Sequence, residues 1–533
     1  MNRSIFILLS FLSGLLLSLP WIGGSGVVLL FALVPLLYIE NYLSHHKAAF
    51  TPVVFWMYAF GVMLFWNAFT TWWMWHATPA GALFAIVANA FLMSLVWLMY
   101  HYAHRLKGAG FASLFFIFGW LSFEYLHFKW EMAWPWLTLG NGFANNIKLI
   151  QWYEFTGVFG GSFWILVVNI MLWQIINTFI NRIPGPVISR TLLFLIVVIA
   201  PMVFSNHLFK TYTEKNNPVD VVVVQPNIDP YNDKFSGMTI AEQYDRLLRL
   251  ANSIKDNEVD FYIGPETALH DVWQHNIETE HEVRIVKDFL HSKKSDAAFI
   301  TGAMTFRKYN NKEEAPSTSR YSADSSLIYD AFNSALMITT DDTVGMYHKS
   351  KLVSGVERLP FEDIFGFMDM FVVSLGGTTG SLGTDNKVVV FENNGVTAGV
   401  PICYESVFGA YLTEFVVNGA EVLFVITNDG WWKNSPGYNQ HFSFSKIQAI
   451  SLRRSIARSA NTGISGFINQ KGEVVQQTSW WKQDAIAGTI NKNIKLTFYA
   501  KTGDFIARVS LFMFVLMLLN FFVASIKKKG DVF

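Results

Sequence analysis

Apolar residues crowd the two ends of this chain and thin out in its middle, and that distribution limits the fold more than any other feature. Apolar runs are centred on residues 5–19, 26–38, 53–66, 81–100, 111–123, 162–180 and 192–204, and an eighth, 509–526, follows a long polar stretch. A bilayer is crossed by about 20 predominantly apolar residues in a helix. Eight transmembrane helices are therefore expected, several of them borrowing flanking aromatic residues to reach that length. With 533 residues, of which 52% are hydrophobic, the chain is too long for one ordinary domain and too apolar for a wholly soluble protein.

Loop charge gives an orientation. Arg3, Lys47, Arg105 with Lys107, Arg182 with Arg190, and Lys527 to Lys529 fall in alternate loops, and the opposite loops hold only Lys129 and Lys148. Basic residues mark the cytoplasmic side, so the segment after Phe204 is expected to face outward. Arg3 before a short apolar run also has the pattern of a cleaved leader. The charge alternation works only if the segment is kept.

Balanced formal charge supplies no basic field for nucleic acid and no acidic tail. A single cysteine, Cys403, excludes an internal disulfide framework and a cysteine-rich metal site. No metal or nucleotide motif is visible, so no cofactor is expected.

The polar middle reads as one α/β domain. Strand-like runs at 219–224, 298–301, 335–339, 387–391 and 422–427 alternate with turn-rich and helical patterns,. Residues 308–326, rich in Asn, Glu, Ser and Thr, read as a solvated loop. The expected division is 1–205 for the first seven helices, 206–502 for the α/β domain, and 503–533 for the eighth helix and a cytoplasmic tail.

Three clusters join a reactive side chain to the end of an apolar run. Phe261-Tyr262-Ile263-Gly264-Pro265-Glu266 holds a carboxylate behind a proline at a strand's carboxyl end, where open α/β sheets place their sites,. Tyr347-His348-Lys349 offers a compact cation for a thiolate or an acyl oxyanion,. Val400-Pro401-Ile402-Cys403-Tyr404-Glu405 resembles a nucleophile turn,. Each alone is more often a solvated surface residue or an inert buried thiol. Glu, Lys and Cys at three strand ends are far more specific together.

In order and wording these clusters are similar to those of the carbon-nitrogen hydrolase (nitrilase) superfamily, and best to its membrane-bound apolipoprotein N-acyltransferase branch. The matching text also includes Val224-Gln225-Pro226-Asn227, Thr427-Asn428-Asp429-Gly430-Trp431-Trp432, Gln440-His441 and Arg458-Ser459-Ala460-Asn461. The resemblance implies eight transmembrane helices and an extracytoplasmic nitrilase-like α/β domain, a four-layer α-β-β-α sandwich, in the bacterial inner membrane. It implies Glu266, Lys349 and Cys403 as the catalytic set, with Glu357, Tyr404 and Glu405 supporting it. Because indoles favour the membrane interface, Trp431, Trp432 and the Trp134-Pro135-Trp136 turn are expected either to line a lipid entrance or simply to anchor at that interface. The implied partners are a phospholipid acyl donor, the S-diacylglyceryl cysteine of an apolipoprotein as acceptor, and the bilayer. An ordinary thiol, with pKa about 8.5, needs a base, and Glu266 fills that role near neutral pH if burial raises its pKa toward about 6 to 7. The alternative is a membrane-tethered nitrilase-type amidohydrolase, in which water takes the acyl group.

Overall fold

Where the apolar runs are long the chain is helical, because only a helix satisfies every backbone polar group within the segment when lipid surrounds it. The computed structural model describes residues 3–182, 186–254, 259–293, 296–322, 326–341, 343–358, 360–361, 381–385 and 387–530. Two units emerge, Met1–Thr211 with Thr502–Phe533 and Tyr212–Lys501.

The helical unit contains α1 (Arg3–Ser18), α2 (Val34–His45), α3 (Pro52–Thr71), α4 (Pro79–Lys107), α5 (Ala109–His127), α6 (Tyr153–Ile180) and α7 (Val187–Thr211). Among the described residues eight helical segments are long and apolar enough to cross a membrane, the last being Phe505–Val523. The second is composite: a 3-10 turn at Gly26–Leu30 precedes α2, which starts beside Pro35. That break costs helical hydrogen bonds, and Asn169 of α6 replaces them. Its Oδ1 accepts from Leu33 N at 2.9 Å, and its Nδ2 donates to Leu29 O at 2.7 Å.

The centres of the apolar runs hold no Asp, Glu, Lys, Arg or His, but the helices extend beyond those centres and take in several, Glu40, His101, His104 and Glu124 among them. Glu40 is fully buried; its Oε1 lies 2.8 Å from His101 Nδ1, its Oε2 2.8 Å from His104 Nδ1, and Oε1 accepts from Ser44 Oγ at 2.5 Å. Glu124 accepts from Trp120 Nε1 at 2.9 Å and from Leu139 N at 2.8 Å. One expectation is corrected here. Trp136 is only 1% exposed and packs on Trp73 and Trp134, so it is core, since a fully packed indole has no face left for an interface.

In the other unit, β1 (Pro218–Gln225) is followed by α8 (Ile240–Ser253), β2 (Phe261–Ile263), β3 (Leu269–Trp273), α9 (His281–Lys293), β4 (Ala298–Tyr309), β5 (Arg320–Tyr321), β6 (Ile328–Ile338) and β7 (Val344–His348). Next come β8 (Val390–Asn393), β9 (Val396–Gly399), α10 (Gly409–Val417), β10 (Val422–Thr427), α11 (Pro436–Leu452), β11 (Ile456–Ala460), β12 (Gly466–Ile468), β13 (Val474–Gln477), β14 (Asp484–Asn491) and α12 (Phe498–Thr502). The last helix of the chain, α13, is Phe505–Gly530.

One sheet runs β14-β1-β2-β4-β6-β5, with β3 on β4 and β7 on β6; the other runs β13-β12-β11-β10-β9-β8. β1, β2 and β4 are parallel, as are β9, β10 and β11. β1 and β14 pair antiparallel from Pro218↔Asn491 to Gln225↔Asp484. Val221–Val224 are all buried because both sheet faces are covered,. On one face Val222, Val224 and Tyr262 pack with Tyr244 and Leu247 of α8 and Val286 and Leu290 of α9. On the other, Phe261 meets Phe424 of the second sheet at 5.1 Å and Ser459 Oγ donates to Val224 O. Phe415 of α10 backs β9 at Gly399. The layers are α-β-β-α.

The run 422–427 coincides with β10, whereas 298–301 and 335–339 are only the ends of β4 and β6. Those strands continue as one antiparallel ribbon from Phe299↔Ile338 to Tyr309↔Ile328. The ribbon reaches into the segment read as a solvated loop: Lys308 and Tyr309 close β4, and Arg320–Tyr321 forms β5. Residues 323–325 of that segment lie outside the described residues. The run 387–391 overlaps only the first residues of β8.

Candidate active site

The three expected side chains come from the carboxyl ends of strands. Behind β2, Gly264 N donates to Ile300 O and Ala268 N to Gly302 O, so the Glu266 loop lies directly on β4. A Cβ at Gly302 would stand 2.4 Å from Thr267 N and 2.5 Å from the Glu266 Cα; only glycine permits that approach. Lys349 follows the last residue of β7, and its amide donates to Asn333 O of β6 at 2.8 Å. Cys403 starts a 3-10 turn, Cys403–Val407, just beyond β9 and the bridge Ile402↔Ile426. Its φ of 49 is left-handed, a strained state for a residue with a Cβ.

Glu266 and Lys349 are in direct contact. Lys349 Nζ donates to Glu266 Oε1 at 2.9 Å and to Glu357 Oε1 at 2.8 Å. Asn333 Nδ2 donates to the same two oxygens at 2.8 and 3.0 Å. Asn428 N holds Glu266 Oε2 at 3.0 Å, and Val353 N holds Glu357 Oε2 at 2.8 Å. Lys349 is 1% exposed and Glu266 7%. Sequence reasoning missed Asn333. It lies mid-strand in an apolar run, and its only signal is an amide where β6 would otherwise bury an apolar side chain.

Cys403 is held through its own carbonyl. Ser406 Oγ donates to Cys403 O at 2.7 Å, and His441 Nε2 is 3.2 Å from that oxygen and 3.0 Å from Ser406 Oγ. His441 Nδ1 in turn lies 2.9 Å from Asp429 Oδ1, while Arg458 Nη2 donates to Asp429 Oδ2 at 2.7 Å. Ser406, His441, Asp429 and Arg458 are buried, and Cys403 itself is half-buried. Glu405 is a pin between the cysteine turn and the lysine loop: Ile402 N donates to Oε2 at 2.8 Å, and Tyr347 OH and Ser350 N donate to Oε1 at 2.7 and 2.6 Å.

Electrostatics fixes where the protons rest. Burial pushes the Cys403 thiol well up, and the Glu266 charge adds to this while Lys349 opposes it. Burial would also raise Glu266, but the Lys349 ammonium and the bonds from Lys349 and Asn333 bring it below the usual carboxylate range. Burial opposes the charge on Lys349, yet Glu266 and Glu357 hold it well above the ordinary lysine value. The expected rise of Glu266 toward neutrality therefore gives way to the opposite shift, because the lysine sits against the carboxylate. The free site is thiol, carboxylate and ammonium.

The outer residues are placed as follows. Tyr404 is buried, with its ring 5.1 Å from Phe408. Trp431 packs on Tyr231 and Phe235, both exposed, and Trp432 on His441. Lys234, 6.0 Å from the Phe235 ring centre, is 8% exposed and donates to Thr267 Oγ1, directly after Glu266. Among the described residues no group of three or more His, Cys, Asp or Glu is placed to hold a metal ion.

Comparison with known proteins gives a consistent set of matches. Residues 221–497 match the carbon-nitrogen hydrolase family, and 13–171 match the apolipoprotein N-acyltransferase N-terminal domain. A Chlorobaculum tepidum protein named apolipoprotein N-acyltransferase is 28% identical over 98% of this chain and 97% of its own length. One of the same name from Geobacter metallireducens is 26% identical over 73% of this chain and 70% of its own. A solved carbon-nitrogen hydrolase superfamily protein from Xanthomonas campestris covers 52% of this chain and 91% of its own at 14% identity, with a TM-score of 0.35.

Proposed function

The chain belongs to the carbon-nitrogen hydrolase family, in its apolipoprotein N-acyltransferase branch, and from that premise we propose that Cys403 carries a fatty acyl group from a phospholipid to the α-amine of an S-diacylglyceryl cysteine, completing lipoprotein maturation. The protein is a multi-pass membrane acyltransferase. The observation that carries the residue assignment is Lys349, buried and shared between Glu266 and Glu357, in electrostatic contact with the one thiol of the chain.

The thiol is neutral at rest, so its proton leaves only as the sulfur attacks. Glu266 takes that proton while the S–C bond forms at the donor's ester carbonyl. Lys349 and the Tyr404 amide, a cation and a dipole, stabilise the oxyanion as its charge develops. As the C–O bond breaks, Glu266 returns the proton to the glycerol oxygen, and a lysophospholipid leaves. The α-amine, of pKa about 7.7 to 8.0, then attacks the thioester. Its proton passes through Glu266 to the sulfur as the C–S bond breaks, giving an amide and the free thiol.

The protein given phospholipid without acceptor should gain the mass of one acyl chain, releasable by neutral hydroxylamine and absent in Cys403→Ala. Adding a diacylglyceryl peptide to the isolated adduct should yield triacylated peptide. Adduct at another residue, or discharge only to water as free fatty acid, sinks the assignment. The alternation of Lys and Arg supports an inner-membrane protein with the α/β unit in the periplasm. A reporter joined after Asn216 should then read outside and one after Lys529 inside; the reverse pattern removes the lipoprotein substrate.

A further inference from the structure

We propose that Lys234 binds the phosphodiester of the glycerophospholipid donor, an assignment that rests on the phospholipid reading above. Lys234 lies in the turn Asp233–Gly237 beyond β1, and its backbone is fixed at both ends. Its amide donates to Asp229 O at 2.9 Å, and its carbonyl accepts from Gln243 Nε2 at 2.9 Å. Its ammonium is buried, and among the described residues its hydrogen-bond partner is a neutral hydroxyl, Thr267 Oγ1, with no carboxylate in ion-pair contact. Thr267 is itself left-handed, with φ 49, directly after Glu266.

An ammonium has three hydrogens to donate, and a buried cation is costly unless paired. Lys349 meets that requirement with two carboxylates. Lys234, bonded to the residue that follows Glu266 and 6.0 Å from the Phe235 ring centre, leaves two hydrogens without a hydrogen-bond acceptor among the described residues. Burial brings its pKa down to about 8, with Glu266 acting in the opposite direction, so a cation still predominates near neutral pH.

The reaction places an anion there. Glu266 protonates the glycerol oxygen that leaves, which puts the glycerol beside Glu266, and the phosphate is attached one glycerol unit further on. A neutral acyl ester has no such group. The diacylglyceryl acceptor also has no phosphate, so Lys234 distinguishes donor from acceptor by charge.

The test measures acylation of Cys403 in the full chain in detergent, from dipalmitoyl phosphatidylglycerol and from p-nitrophenyl palmitate. A charge-assisted hydrogen bond predicts that Lys234→Gln lowers the phospholipid-to-nitrophenyl rate ratio by about 10- to 100-fold, with the ratio restored by Lys234→Arg. An unchanged ratio, with phospholipid still active, overturns the assignment of Lys234 alone and makes it a partner of Glu266. Wild-type protein that takes acyl groups from the nitrophenyl ester but never from phospholipid overturns the donor and with it the role of Lys234. A readout without mutation guards against misfolding. Methylating the phosphate of the same lipid to a neutral triester should slow wild-type acylation by about tenfold or more; equal rates refute the proposal.

Discussion

Glu40 in the helical unit and Glu266 in the α/β unit are both buried carboxylates, and each is bound by several donors. Glu40 faces two imidazoles and a serine hydroxyl, all from helices. Glu266 faces an ammonium and a backbone amide just beyond β7 and β10, and an amide side chain from the middle of β6. In the helical unit, polar side chains mainly repair what helices leave open. Asn169 closes the break before α2, and Ser13 Oγ donates to Ala32 O. In the α/β unit they hold reactive atoms in place, since Asn333, Glu357, Ser406 and His441 each bond to Glu266, Lys349 or Cys403. Burial alone therefore does not identify function; Glu266 differs from Glu40 in sharing its partner Lys349 with Glu357 beside the one thiol of the chain.

The strongest way to break this comparison is at Glu266. Glu266→Gln should lower turnover by about 10²- to 10⁴-fold, the range for a lost general base. The same substitution removes the charge that helps raise the Cys403 pKa, so iodoacetamide should alkylate the thiol faster than in wild type at a fixed neutral pH. Slower alkylation would mean that Glu266 does not act on the sulfur. Turnover close to wild type would move Glu266 to the class of Glu40.

A smaller effect is expected at Arg458, which touches neither the sulfur nor Lys349 in any contact described above. Arg458→Met leaves Asp429 buried without its guanidinium and should destabilise the α/β unit by about 3 to 5 kcal/mol. Burial would raise Asp429, but His441 and Arg458 bring it below the usual range. A depressed carboxylate adds stability above the unfolded Asp pKa of about 3.9, and that stability is lost as pH falls through the folded value. The deficit of the variant, followed by thermal unfolding, should thus be greatest at neutral pH and narrow on acidification. A deficit that widens in acid contradicts the charge assignment.

The smallest effect belongs to the helical unit. Asn169→Leu should cost about 1 kcal/mol, typical of a side-chain hydrogen bond between membrane helices, and hydrogen exchange should quicken at the Leu33 amide with little change in acyl transfer. If acyl transfer collapses without loss of fold, buried polar groups in the two units do not divide as described.

Much of this was legible in the residues. Eight apolar runs announce eight helices because hydropathy accumulates along a helix, and β10 is a short run of apolar residues bounded by polar ones. The sequence pattern marks only the ends of the β4–β6 ribbon because Arg307, Lys308 and Asp330 interrupt its apolar run, although pairing across the ribbon continues past them. Glu40 and His101 fall just outside the apolar centres, so composition of those centres could not reveal them. Glu266 stood out by its place behind a strand, but the direction of its pKa depends on contact with Lys349, 83 positions away in the chain. Lys234 has no motif of its own, and its place against Thr267, with no carboxylate in ion-pair contact among the described residues, is a property of the folded turn.

The pairing of β1 with β14 has one more consequence. Because Pro218 stands opposite Asn491, the first and last strands of the α/β unit are neighbours, and the chain leaves the unit close to where it came in. Termini held together in this way suit insertion into another fold. The entropy of bringing the ends of this long segment together is met when β1 and β14 zip up. Sequence drift inside the unit need not move its own two ends apart while that one ribbon stays closed.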